Sequence, residues 1–398
     1  MAKKTLRDVD LRGKTVFARV DFNVPYVEGT TQISDDTRIR AALETIKHLG
    51  SSKLVLASHH GRPKGKVAVE ETLAPCAERL GELLGKPVTF VEDCIGDARN
   101  QAVAAMADGD VILLENTRFH AAEEEKKDEQ AKMDFARQLA SGVDAFVNDA
   151  FGSSHRAHAS VHGVPTAVKP AVMGLLVEKE VAALAKVYSA PQEGFVVILG
   201  GAKVDDKIGV IKSLLPRCEK MLIGGAMSWA FFKAQGKEIG MSYCPEGSPE
   251  AARDILCTMG EHLDKLVLPS DVHMQNVQGD HSAVYAQADG IVAGWDALDI
   301  GPETREHYAS IIAGAKTVFW NGPMGKFEDK PFDEGTLVIA KAMGDCAGFN
   351  VVGGGDSVAA VTQMDLAAKM DHVSTGGGAS LEYLESGGLP GIDILDDK

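Results

Sequence analysis

Short apolar runs alternate with longer stretches of helical spacing from one end of the chain to the other. In the first half, residues 15–20, 54–57, 111–114 and 145–147 read as strands buried on both faces. In the second half, 195–199, 221–223, 265–268, 318–320 and 351–352 read the same way. Between them, segments such as 38–49, 72–84 and 131–140 carry apolar residues at helical spacing. Strand–helix alternation predicts parallel sheets covered by helices on both faces, with the binding crevice beyond the carboxyl ends of the strands. Pro165 and Pro170 punctuate the middle, apolar residues recur at helical spacing over 172–187, and Pro191 breaks the pattern again. The expected fold is α/β: two doubly wound parallel-sheet lobes, 1–171 and 189–387, joined by a connecting helix over 172–188. The charge run 123–127 reads as a solvated helix start.

Length agrees with two domains, because single cores stop growing at about 250–300 residues and this chain has 398. The formal net charge is −16, which argues against non-specific binding to nucleic acid or anionic membranes. The N-terminus has no apolar segment of the kind a signal peptide needs, and no run approaches a membrane span. Six dispersed cysteines without a CxxC pair read as free thiols in a reducing cytosol, with no zinc site implied.

The residues after the strands divide the chain by chemistry. In the first half they are polar and charged: Asp21 and Asn23; His59, His60 and Arg62; Glu115 and Arg118; Asn148, Asp149, His155, Arg156 and His158. Arg38 opens a predicted helix. Singly, each arginine reads as a surface or ion-pair residue. Together at strand ends, Arg38, Arg62, Arg118 and Arg156 predict a focused anion site, since the guanidinium fork matches carboxylate and phosphate. In the second half, strand ends deliver glycine: Gly200-Gly201, Gly224-Gly225, Asn321-Gly322, Gly353-Gly354-Gly355 and Gly376-Gly377-Gly378. Glycine lets backbone amides approach a phosphate, and a following helix N-terminus adds a positive dipole end. Neither GxxxxGK[ST] nor an intact GxGxxG is present. Asp356, directly after the triple glycine, suits a hard cation. Lys203 and Lys207, four residues apart, are expected on one helix face. His155 and His158 lack a ligand partner at metal spacing, and His120, His262, His281 and His307 read as surface residues.

These residues fall within VDFNVP (20–25), SHHGRP (58–63), ENTRF (115–119), HRAHAS (155–160), LGGAKVDDKI (199–208), WNGPMGKFE (320–328), VGGGDS (352–357) and HVSTGGGASL (372–381). In that order, over nearly the whole chain, the set resembles the phosphoglycerate kinase family. The resemblance implies a first lobe for 3-phosphoglycerate, a second for Mg²⁺–nucleotide, and a tail at 388–398 that returns to the first lobe. It implies Asp21, Asn23, Arg38, His59, Arg62, Arg118 and Arg156 as the sugar-phosphate site. Gly201, Lys207, Gly225, Asn321, Glu328, Gly353, Gly354, Gly355, Asp356 and Ser357 correspond to the nucleotide site, Glu328 on the ribose and Asp356 on the metal. Lys203, Arg38 and the amides of Gly376 and Gly377 correspond to the catalytic groups around the transferring phosphoryl.

Three positions depart from the family. Ala226 stands for a third glycine and bears on base preference; His60 and Thr117 stand for apolar residues and are expected beside the site. The implied reaction is reversible transfer from 1,3-bisphosphoglycerate to ADP, giving 3-phosphoglycerate and ATP, by a monomer in the cytoplasm that closes by hinge bending. The alternatives are an NAD-dependent dehydrogenase, which wants the missing fingerprint, and a non-catalytic nucleotide-binding protein, which has no use for Lys203 or the arginines.

Overall fold

A computed structural model describes residues 2–276 and 283–398. The chain divides into two compact units, Met1–Ala182 with Gly388–Lys398, and Ala183–Gly387.

The first unit is built on β1 (Thr15–Val20), β2 (Lys53–Ala57), β3 (Thr89–Val91), β4 (Val111–Leu114), β5 (Ala145–Asp149) and β6 (Ala171–Met173). They form one parallel sheet in the order β3-β4-β2-β1-β5-β6. Every residue of β1, β4 and β5 is buried, as continuous apolar runs require when both faces are covered. β1 lies between β2 and β5, so the winding direction reverses there and the carboxyl ends of β1 and β5 open a crevice. The tail adds to this unit through Lys4 N–H to Asp396 O (2.8 Å), Asp396 N–H to Ala171 O (2.9 Å) and Gly391 N–H to Ser154 O (2.8 Å).

The second unit contains β7 (Phe195–Leu199), β8 (Lys220–Ile223), β9 (Leu266–Val267), β10 (Asp271–Asn276), β11 (Ala283–Gln287), β12 (Trp295–Ile300), β13 (Thr317–Asn321), β14 (Phe349–Gly353) and β15 (His372–Val373). Six of these make a second parallel sheet, β15-β14-β13-β7-β8-β9, with its reversal at β7 and β13. β10, β11 and β12 form a separate antiparallel sheet that the alternation of apolar runs does not show. Its strands alternate, with Val272, Met274 and Ala297 turned into a cluster with Trp229 and Phe232. Among the described residues, no helix is long and apolar enough to cross a membrane.

Two expectations are corrected. The connecting helix runs Leu175–Tyr188, not from 172: Val172 belongs to β6, paired with Val147. Gly174 separates strand from helix, and its carbonyl accepts the Glu178 amide (2.9 Å). The 123–127 run is not a solvated helix start. Glu123 is fully buried and accepts Ser160 N–H (2.9 Å) and Ser160 Oγ–H (2.5 Å).

Candidate functional site

In the first unit, the segment after β1 alternates: Phe22 and Val24 are buried, which turns Asp21 and Asn23 the other way. Asn23 Oδ1 accepts the Gly61 amide (2.9 Å), and Asp21 Oδ2 pairs with Arg38 Nη1 at 2.6 Å. Arg38 is thereby held at the start of the Thr37–His48 helix. Arg118 donates Nη1–H to Gly61 O (2.8 Å), and its Nε lies 3.0 Å from Glu124 Oε1, a charge contact poorly aligned for a hydrogen bond. Arg62 and Arg156 are exposed and have no ion-pair partner among the described residues.

The nearness of Arg38, Arg118 and Arg156, though not of Arg62, shows in the histidines. Burial, then the charges of Arg19, Arg118 and Arg38 among others, hold His59 well below the ordinary imidazole range. His158 is pushed down to about 3 by burial and by Arg118, Arg19 and Arg156. Burial and Arg156 also lower His155, with Arg118 contributing. His155 and His158 are therefore neutral near pH 7 and both stand near Arg118 and Arg156. They belong to no metal-like cluster among the described residues.

Arg19, which sequence reasoning passed over, lies fully buried inside β1. Its Nη2 faces His59 Nδ1 at 3.0 Å and its Nε donates to Ser160 Oγ at 2.9 Å. A guanidinium only donates, so His59 Nδ1 accepts and the ring proton sits on Nε2. No spacing pattern could reveal this, because an arginine within an apolar run looks like an interruption of the strand. Of the departures, His60 Nε2 bonds Val24 O (2.8 Å) and its ring stacks on Tyr26, while Thr117 Oγ1 lies 3.2 Å from Glu123. Both support the loops from behind. A cavity of about 880 Å³ lies elsewhere in this unit, around Asp36, Arg40 and Arg79. Asp36 pairs with both arginines, so their charge is already satisfied.

In the second unit, two cavities of about 360 and 370 Å³ share Gly201, Ala202 and Asp356. The first has apolar walls from Trp229, Leu298 and Pro323, with Glu328 and Gly225 on its lining. The second is lined by Lys203, Lys207, Asn321, Gly354, Gly355, Ser357 and Gly377. The N-termini of the Gly355–Gln363 and Gly377–Ser386 helices both open on it, so two positive dipole ends meet there. Gly225 has φ +64°, and a Cβ there would lie 2.6 Å from Gly201 N, so only glycine fits the crossing. Asn321 Nδ2 is buried without a partner, a donor available to an anion. Ser357 Oγ accepts the Gly322 amide (2.5 Å) and so fixes the neighbouring turn.

Two expectations shift in this unit. Lys203 is not on a helix: a 3₁₀ turn, Asp205–Lys207, precedes the Ile208–Leu214 helix. Lys203 and Lys207 nevertheless line the same cavity. Gly376 is buried and its amide lies 3.3 Å from Ser374 Oγ, so Gly377 and Gly378 line the cavity and Gly376 and Gly353 do not. Ala226 has φ −63°, a conformation open to any residue, and lines the first cavity. His307 is exposed, His120 and His262 are half-buried, and His281 lies outside the described residues.

Asp356 is exposed and forms no hydrogen bond or ion pair among the described residues. A free carboxylate on the wall common to both cavities fits a hard divalent cation.

The family model for phosphoglycerate kinase matches residues 6–387. A solved phosphoglycerate kinase from Coxiella burnetii is 36% identical, covers 98% of each chain and superposes with a TM-score of 0.85. That from Pyrococcus horikoshii OT3 is 32% identical over 98% of each chain, with a TM-score of 0.84. With its two parallel sheets, its glycine-lined cavities and a match that spans nearly its whole length, this chain belongs to the phosphoglycerate kinase family of phosphotransferases.

Proposed function

We propose that the chain catalyses reversible phosphoryl transfer from 1,3-bisphosphoglycerate to Mg²⁺–ADP, giving 3-phosphoglycerate and ATP. The observation that carries this reading is the pair of adjoining cavities in the second unit. One has an apolar wall and the Glu328 carboxylate, as a base and ribose need; the other has Lys203, Lys207 and glycine turns, as phosphates need. Glu328 accepts from the ribose hydroxyls, and Asp356 holds Mg²⁺ on the wall between base and phosphates. When bound, Mg²⁺ neutralises charge on the phosphate oxygens. Membership of a phosphotransferase family favours this reading over the dehydrogenase and purely binding alternatives.

The sugar phosphate goes to the first unit. Arg62 and Arg156 bring unpaired guanidinium groups, Arg38 and Arg118 bring tethered ones, and Asp21 and Asn23 receive hydroxyl donors. His59, neutral and protonated on Nε2, donates to the anion and does not accept a proton from it. No general base is needed, since the attacking oxygen is ionised in both directions at pH 7. Lys203, Arg38 and the amides at the start of the Gly377–Ser386 helix neutralise charge on the group in flight, so the rate comes from positioning and electrostatics. The same reading has a monomer at work in the cytoplasm.

The test is ATP formation by purified protein from 1,3-bisphosphoglycerate, ADP and Mg²⁺, read through a coupled luminescent assay. Turnover that needs all three is expected. Absence of ATP with well-folded protein overturns the reading.

A further inference from the structure

We propose that Asp93, Cys94 and His120 form a binding site for a zinc-like divalent cation, separate from the substrate sites. Asp93 and Cys94 follow β3, and His120 follows the short Thr117–Phe119 turn after β4. One ligand atom from each lies within 4.8 Å of the others. His120 Nε2 and Asp93 Oδ1 already meet at 2.8 Å. Tetrahedral Zn²⁺ with bonds of about 2.0–2.3 Å holds its donors roughly 3.5 Å apart. Side-chain rotations that move the donors by about an ångström close the set around such an ion. The His120 ring is stacked on Phe135 with centroids 5.0 Å apart, which fixes its plane.

The donor set selects the ion. Thiolate with imidazole and one carboxylate suits Zn²⁺, Co²⁺ or Cd²⁺ and is a poor match for Mg²⁺ or Ca²⁺, which take oxygen. Three protein donors leave a fourth position, and Asp93 is exposed, so water can complete the shell. Cys94 is buried and its thiol is free of any disulfide. The thiolate is the ligand form, so a bound cation displaces the thiol proton to solvent. The sequence hides the set because Cys94 and His120 are far apart in the chain and neither belongs to a paired-ligand motif. The ion would tie the turn after β3 to the turn that carries Arg118.

Reduced, metal-free full-length protein titrated with Co²⁺ decides the matter. Wild type is expected to bind a first equivalent with tetrahedral d–d bands and a thiolate charge-transfer band. Zn²⁺ should displace it, with affinity read by competition against a chromophoric chelator. Cys94→Ser should abolish the charge-transfer band, and His120→Asn should weaken Zn²⁺ by about 10–100-fold or more. Persistence of the band in Cys94→Ser would assign it to another thiol, such as exposed Cys257, and overturn the site. An octahedral, band-free spectrum in wild type would do the same. Should Cys94→Ser not fold, the half-buried His120→Asn carries the test: unchanged Zn²⁺ affinity there sinks the proposal.

Discussion

Arg62 and Arg156 differ from Arg38 and Arg118 in that no carboxylate already holds them. A free guanidinium can give its full charge to an incoming phosphate or carboxylate, and its loss leaves no buried acid behind. Arg62→Ala or Arg156→Ala should therefore raise KM for 3-phosphoglycerate about tenfold or more, since a charge-assisted hydrogen bond is worth ~1.5–3 kcal/mol. Calorimetry should find ADP affinity unchanged; a fall there would show that the arginines serve the nucleotide. Lys203 is exposed on the phosphate cavity and has no ion pair among the described residues. Its charge matters most when the transferring group is most anionic, so Lys203→Ala should lower kcat by ~10²–10³ with little change in nucleotide affinity. A near-normal kcat removes it from the chemistry. Asp356→Asn keeps the shape and drops the charge. It should weaken binding of Mg²⁺–ATP much more than of metal-free ATP, and equal losses would reduce Asp356 to a residue of the turn.

At the level of elements, the central parallel strands, their ends and the glycine turns were legible because each is local, a short apolar run and then a polar or flexible residue. By contrast β3, β6 and the antiparallel β10, β11 and β12 were not read. What stayed hidden depends on partners far off in sequence. Glu123 looks solvated within its charge run, yet it is buried against Ser160 and feels Arg19. Arg19 looks like a flaw in β1, yet it links that strand to His59 and Ser160. Val172 fits a helical period with Leu176, but strand pairing with Val147 claims it, since three apolar residues before a glycine serve equally well as a sheet edge. Lys203 and Lys207 share a cavity without sharing a helix, so four-residue spacing was right in outcome and wrong in cause. Arg19 and Glu123 meet through Ser160, which both contact, and that link carries its own prediction. Burial raises the Glu123 carboxyl, and Arg19 is the largest influence lowering it again. Arg19→Met removes the buried hydrogen bond to Ser160 and the nearby positive charge, and should destabilise the first unit by about 1–3 kcal/mol. Urea unfolding measures this, and a loss below about 1 kcal/mol, the range of an exposed pair, would show that the two charges do not depend on each other.

At the scale of the whole molecule, the proposed sugar-phosphate residues all precede residue 170, and the proposed nucleotide residues all follow residue 190. Each unit folds around its own sheet, and the Leu175–Tyr188 helix carries the boundary, after Ala182. Phosphoryl transfer needs the reacting atoms about 3–3.5 Å apart, and water must be kept from the acyl phosphate while they meet. A permanently closed enzyme would satisfy the chemistry and refuse its substrates. We therefore expect an open resting state that closes by bending at the ends of the Leu175–Tyr188 helix. Either substrate alone contacts mainly one unit, so it gains little from closure and should shift the equilibrium weakly. With both bound, each gains contacts only in the closed state, and that difference in affinity drives the population across. Small-angle scattering can follow this directly. The radius of gyration should fall little with 3-phosphoglycerate or with Mg²⁺–nucleotide alone, and most when both are present. A radius that stays the same in free, singly bound and doubly bound protein would rule out the bending, and transfer would then require another route for bringing the two substrates together.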